Sequence, residues 1–161
     1  MTGEGGLWKG KHIMSKTEDL AGKMNRGSAG PRYLIDTCVI VDHLRGYTDA
    51  YEWFKRIANQ TETPQLVCSV ITVAELFSGL PAEAPKSEEA VIKLLSQMDV
   101  IPVCENIARS AGMYVQKWGA SHGVGLADAL IAATAYCLGA PLVTRDLRHC
   151  PMPEVKTRVP Y

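Results

Sequence analysis

The chain of 161 residues is long enough for one domain with a buried core and too short for two ordinary ones. Its 47% hydrophobic and 21% charged residues exclude an intrinsically disordered protein. The 17 basic residues balance the 17 acidic ones, so bulk charge announces no nucleic-acid partner; phosphate binding would need a local basic cluster and metal ions.

Residues 1 to 30 carry Gly3, Gly5, Gly6, Gly10, Gly22, Gly27 and Gly30 among scattered charges with little periodicity. They read as a leader or appended segment outside the fold, with Met14 or Met24 nearer the true start; a helical arm over Thr17 to Met24 is the weaker alternative. No uninterrupted apolar core of a signal peptide is expected there. From Arg32 the pattern becomes regular. Tyr33-Leu34-Ile35 is a short apolar run entering Asp36, and Thr37 to Leu44 reads as a helix. A second helix is expected after Thr48 as N-cap, with Tyr51, Phe54 and Ile57 along one face. Leu66-Val67-Cys68 reads as a buried strand.

Thr72 to Leu80 reads as a helix closing near Gly79 and Pro81, and another helix is expected from Ser87, as its cap, to Met98. Val100-Ile101-Pro102-Val103 is a third strand, placed at an edge by Pro102. The following long helix puts Ile107, Ala111, Tyr114 and Trp118 on one stripe and ends in the loop Ser121 to Gly125. Leu126 to Leu138 reads as an Ala-rich helix with Gly139 at its C-cap. Pro141 to Thr144 is a fourth strand, and Val155 to Val159 a short last one. Strands alternating with helices imply an α/β fold: a three-layer α/β/α sandwich around a mostly parallel sheet of four to five strands.

The apolar stretch Ala129 to Val143 is interrupted and falls short of the roughly 18 residues of a membrane span. Cys38, Cys68, Cys104, Cys137 and Cys150 form no C-x-x-C pair, which leaves zinc ribbons and redox motifs unsupported. They read as buried, reduced thiols of a cytoplasmic protein.

Four acids lie beside strand ends or in first helical turns: Asp36, Glu75, Asp128 and Asp146. In open parallel sheets function gathers beyond the carboxyl ends of the strands, so Asp36 and Asp146 face one edge. Carboxylates brought together there repel by about 4 kcal/mol per pair at ~4 Å and an effective dielectric of ~20, which calls for a hard divalent cation such as Mg²⁺ or Mn²⁺. Each acid also has a plainer reading. Asp36 fits an N-cap, Thr72-Val73-Ala74-Glu75 matches a capping box, Asp128 suits a helix dipole, and Asp146 suits a turn. Their recurrence at one kind of boundary favours a site.

Leu34-Ile35-Asp36-Thr37-Cys38-Val39-Ile40, Thr72 to Gly79, Leu126 to Ala133 and Leu142 to His149, in this order and at these separations, resemble a PIN-domain nuclease of the VapC toxin type. The similarity covers roughly residues 32 to 160, so that 31 to 161 reads as one PIN-like nuclease domain. The resemblance implies a metal-dependent endoribonuclease, the toxin of a VapBC-type toxin–antitoxin pair. Asp36, Glu75, Asp128 and Asp146 would then form the acidic, Mg²⁺- or Mn²⁺-holding site, supported by the Thr144 hydroxyl. It further implies RNA as substrate, a VapB-type antitoxin and a homodimer as partners, and no membrane. The chain departs from the family in having Asp146 where Asn is frequent and Cys150 where an aromatic residue is frequent.

Arg145, Arg148 and Arg45 are near enough in sequence to contact phosphates, a reading that competes evenly with plain solvation. His149, His43 and His122 read as histidines without chemistry. A phosphoaspartyl phosphatase of the haloacid-dehalogenase type also starts with a strand and Asp, but it needs a second Asp where this chain has Cys38. The non-enzymatic alternative is a catalytically silent PIN-like module that binds RNA or protein; four mutually repelling acids argue against it.

Overall fold

The computed structural model describes residues 31–80 and 85–161. The leader reading for residues 1 to 30 lies outside the described residues. Five strands, β1 (Arg32–Ile35), β2 (Gln65–Ser69), β3 (Asp99–Ile101), β4 (Leu142–Val143) and β5 (Thr157–Arg158), form one parallel sheet in the order β3-β2-β1-β4-β5. The described helices are α1 (Thr37–Leu44), α2 (Thr48–Ala58), α3 (Val70–Ser78), α4 (Pro85–Leu95), α5 (Glu105–His122) and α6 (Leu126–Leu138). This is the expected α/β sandwich. β3 lies at the edge, with Pro102 just past its end, where no ladder hydrogen bond is lost.

Successive side chains of a strand point to opposite faces, and the core divides accordingly. Leu34, Val67, Ile101 and Leu142 pack on one side with Ile107, Ala111 and Tyr114 of α5 and the small residues of α6. Ile35, Cys68 and Val143 pack on the other with Val39 and Ile40 of α1, Trp53 and Ile57 of α2, and Val91 of α4. Leu34 pairs with Val67 and Leu142 in register, while Ile35 pairs with Val143. The central strand β1 is therefore dry on both faces, as parallel sheets with helices on each side require.

Several element ends differ from the sequence expectation. Thr48 is the first residue of α2; the N-cap is Tyr47, which makes no side-chain cap bond. The buried stripe of α2 is Ala50, Trp53 and Ile57, with Tyr51 exposed, because the largest apolar side chain of the helix takes the core position. α3 starts at Val70, where the Ser69 hydroxyl accepts from the Ile71 N–H and ends the strand. Ser87 lies inside α4 and is no cap. Ser121 and His122 belong to α5, which ends at Gly123 in the left-handed region. Cys68 is buried, whereas Cys38, Cys104, Cys137 and Cys150 are half-buried, and all five are free. Among the described residues no helix is long and apolar enough to cross a membrane.

Gly139 closes α6 at φ +63°, and a Cβ added there meets nothing within 4 Å. The cost of a side chain is thus backbone strain alone. We expect Gly139→Ala to destabilise the protein by about 1 kcal/mol and Gly139→Asn by less. Urea unfolding of the three proteins at equal slope checks this.

Candidate active site

Asp36 is held from two directions. It is the N-cap of α1, its Oδ1 accepting from the Thr37 N–H at 2.7 Å. Its own N–H donates to the Val143 carbonyl at 3.0 Å, which continues the β1–β4 ladder past the strand end. Asp36 Oδ2 accepts from the Thr144 hydroxyl at 2.5 Å and from the Cys38 thiol at 3.3 Å. Thr144 is buried, and its Oγ1 also accepts from the Asp146 N–H at 2.9 Å. One hydroxyl thereby joins the ends of two neighbouring strands.

Asp36, Asp128, Thr144, Asp146, His149 and Cys150 line one small hollow at this edge, with a volume of about 10 Å³. That is the space of about one water-sized sphere. A larger groove of about 910 Å³ lies among α1, α2, α4 and the starts of β2 and β3, with Asp99 as the single carboxylate in its lining. Size alone points to the groove; the chemistry points to the hollow.

The structure brings three of the four expected acids to that hollow and leaves the fourth beside it. Glu75 does not line it. Because α3 begins at Val70, Glu75 is not the partner of a Thr72 cap. Its Oε2 accepts from the Thr37 hydroxyl at 2.5 Å, with buried Thr72 Oγ1 3.2 Å from the same hydroxyl. Glu75 is thus one residue removed from Asp36, through Thr37. Asp128, in the first turn of α6, accepts from the Gly125 N–H at 3.0 Å. Gly125 has no side chain to return the bond, so only half of a capping box is made. The Asp146 carboxylate accepts from the His149 N–H at 3.3 Å and faces His149 Nδ1 at 2.6 Å.

The site's charges are unequal in their comfort. Burial, aided by the nearby Asp128 charge, raises the Asp36 carboxyl above the usual carboxylate range despite its three hydrogen bonds. Burial also acts to raise Asp146, but the bonds from His149 and the charges of His149 and Arg148 outweigh it, and its carboxyl lies below the usual range. Burial pushes the Cys38 and Cys150 thiols up to about 11, helped by the neighbouring carboxylates. Both thiols therefore stay protonated at neutral pH.

The basic residues divide as well. The Arg145 guanidinium turns to Asp42 on α1 and donates to its Oδ2. Arg148 is exposed and acts on Asp146 through its charge. Residues that the sequence reading undervalued are Thr37, Cys38, His149 and Cys150. The Asp-x-x-His spacing of a turn was the available signal for His149; nothing local marks Cys150.

Among the described residues no three His, Cys, Asp or Glu side chains stand as a ready-made metal cage. The acids lining the hollow, Asp36, Asp128 and Asp146, offer oxygen donors only. This suits an ion such as Mg²⁺, which binds through one or two carboxylates and keeps several waters, better than one demanding a full protein cage.

The PIN domain family matches residues 33–155. Ribonuclease VapC10 of Mycobacterium tuberculosis is 38% identical over 122 residues, which cover 75% of this chain and 87% of that protein. A chain in the toxin-antitoxin complex from Klebsiella pneumoniae is 27% identical, with a TM-score of 0.62 over 80% of this chain and 98% of that one. VapBC2 from Rickettsia felis, solved bound to a DNA fragment from its promoter, gives a TM-score of 0.67 at 20% identity over 79% of this chain and 97% of that one, a likeness of fold alone. With the family pattern spanning strands β1 to β4 and the acidic hollow between them, this chain belongs to the PIN-domain family.

Proposed function

We propose that the protein is a Mg²⁺- or Mn²⁺-dependent endoribonuclease that hydrolyses RNA phosphodiester bonds and serves as the toxin of a VapBC-type pair. The observation that carries this reading is the hollow shared by Asp36, Asp128 and Asp146 at the carboxyl edge of the sheet, in a PIN-domain chain. Its 38% identity to a protein named as a ribonuclease supports the reaction class. The toxin–antitoxin complex among its structural relatives supports a VapB-type partner. A homodimer and a cytoplasmic location belong to the same proposal; the five free thiols suit a reducing compartment. The engagement of Asp128 and Asp146 with their own turns favours a silent binding module as the second reading, and cleavage itself separates the two.

In this reading Asp36, Asp128 and Asp146 would hold the ion, while Glu75 acts through Thr37. Bound Mg²⁺ or Mn²⁺ supplies an activated water and offsets charge on the leaving oxygen. Thr144 fixes Asp36 and leaves that carboxylate lone pairs for a ligand in the hollow. Since water attacks in place of the ribose 2′-hydroxyl, the products carry 5′-phosphate and 3′-hydroxyl ends. End mapping of RNA cut by the purified chain checks this; loss of cleavage in EDTA is expected, and a 2′,3′-cyclic phosphate overturns the mechanism.

Asp36→Asn separates stability from activity. Asn caps a helix as well as Asp does, so α1 keeps its start, while a destabilised charge is removed. Cleavage is expected to fall below detection. Thermal stability in EDTA at neutral pH is expected to hold or rise. The sign follows from Asp36's raised folded-state pKa: the charge costs stability fully above that pKa, and the cost vanishes as pH falls through it to the ordinary carboxylate range. The stability gain of Asp36→Asn should therefore shrink on acidification. Melting curves across pH and RNA cleavage assays check both parts, and unchanged cleavage refutes the assignment.

A further inference from the structure

Asp42 lies on α1, the helix capped by Asp36, and its side chain is only 13% exposed. Its Oδ2 accepts from Arg145 Nη1 and also from the Tyr161 hydroxyl at 3.0 Å. The Arg145 guanidinium stands 5.4 Å from the centre of the Tyr161 ring. Arg145 is flanked in the chain by Thr144 and Asp146, both of which line the acidic hollow. The Arg145 side chain is 48% exposed, but its bond to a mostly buried carboxylate and its place over an aromatic ring hold it more firmly than the median exposed ion pair.

We propose that Asp42 and Tyr161 use Arg145 as a handle that holds Thr144 and Asp146 in register with Asp36, making Asp42 and Arg145 positioning residues of the acidic site. The handle joins α1 to the chain leaving β4, the two elements whose ends meet at the Thr144 hydroxyl. Loss of the handle frees residues 144 to 146 to shift while the strand ladder and both halves of the core stay intact. Arg145 is thereby removed from the residues that contact phosphate. The catalytic consequence rests on the ribonuclease reading; the mechanical one does not.

The test compares Asp42→Asn, Arg145→Gln and their double variant in the full chain, by kcat and KM on RNA with Mg²⁺ and by hydrogen exchange of the Asp146 amide. Each single substitution is expected to lower kcat about tenfold with KM within about twofold, and the double to be no worse than either single. The Asp146 amide, which donates to Thr144, is expected to exchange about tenfold faster in all three. A raised KM in Arg145→Gln with a lowered KM in Asp42→Asn makes Arg145 a phosphate contact and overturns the proposal. Unchanged kcat and unchanged exchange overturn it too. If the wild-type chain cuts no RNA, the ribonuclease reading falls, and amide exchange still decides whether the handle exists. Should these variants fail to fold, Arg145→Lys carries the test: it keeps the charge without the planar fork, and a wild-type kcat and exchange rate there overturn the proposal.

Discussion

The Thr144 hydroxyl donates to Asp36 and accepts from the Asp146 N–H, so that one buried oxygen sets the distance between the carboxyl ends of β1 and β4. Asp36, Asp128 and Asp146 line the hollow beside that joint. The adjacent ladder bond from the Asp36 N–H to the Val143 carbonyl holds the backbones together, and the two-sided core keeps both strands dry and straight. A hydroxyl suits the position because it can donate to one neighbour and accept from another. An apolar residue of similar shape would leave Asp36 Oδ2 with the weak Cys38 thiol donor alone and the Asp146 N–H without its Thr144 acceptor, at about 1–3 kcal/mol for a buried bond lost.

The plain and the functional readings of the acids are not rivals in the structure. Asp36 caps α1 with one oxygen and meets Thr144 with the other. Asp128 reaches back to the first amide before α6, and Asp146 closes the turn to His149, yet both border the same hollow. A carboxylate has two oxygens and about four acceptor sites, so capping a helix does not use it up. The caps also fix the rotamers, which a site of limited volume needs. Glu75 is the exception, since Ser69 took the capping role and left it free to bond Thr37.

Asp36 and Asp146 are opposite electrostatic cases within one site. Asp36 pays for burial beside another acid, while Asp146 is eased by a histidine and an arginine. The hollow therefore holds one carboxyl whose charged form is disfavoured and one whose charged form is favoured.

The sequence by itself determined the order of strands and helices, the closing of α6 at Gly139, the edge position implied by Pro102 and the placing of Asp36 and Asp146 beside strand ends. Periodicity, glycine and proline act through local geometry, which is why these features were legible. Family resemblance through four separated segments was legible as well, because each keeps its own short pattern. The cap of α3 at Ser69, the core position of Trp53, the turning of Arg145 toward Asp42 and the bond between Glu75 and Thr37 were decided only by tertiary structure. The last three depend on a partner more than ten residues away or on competition for one buried position, neither of which is written in any local stretch of chain; the Ser69 cap is a local bond to the Ile71 N–H, placed by where β2 ends its pairing with β3.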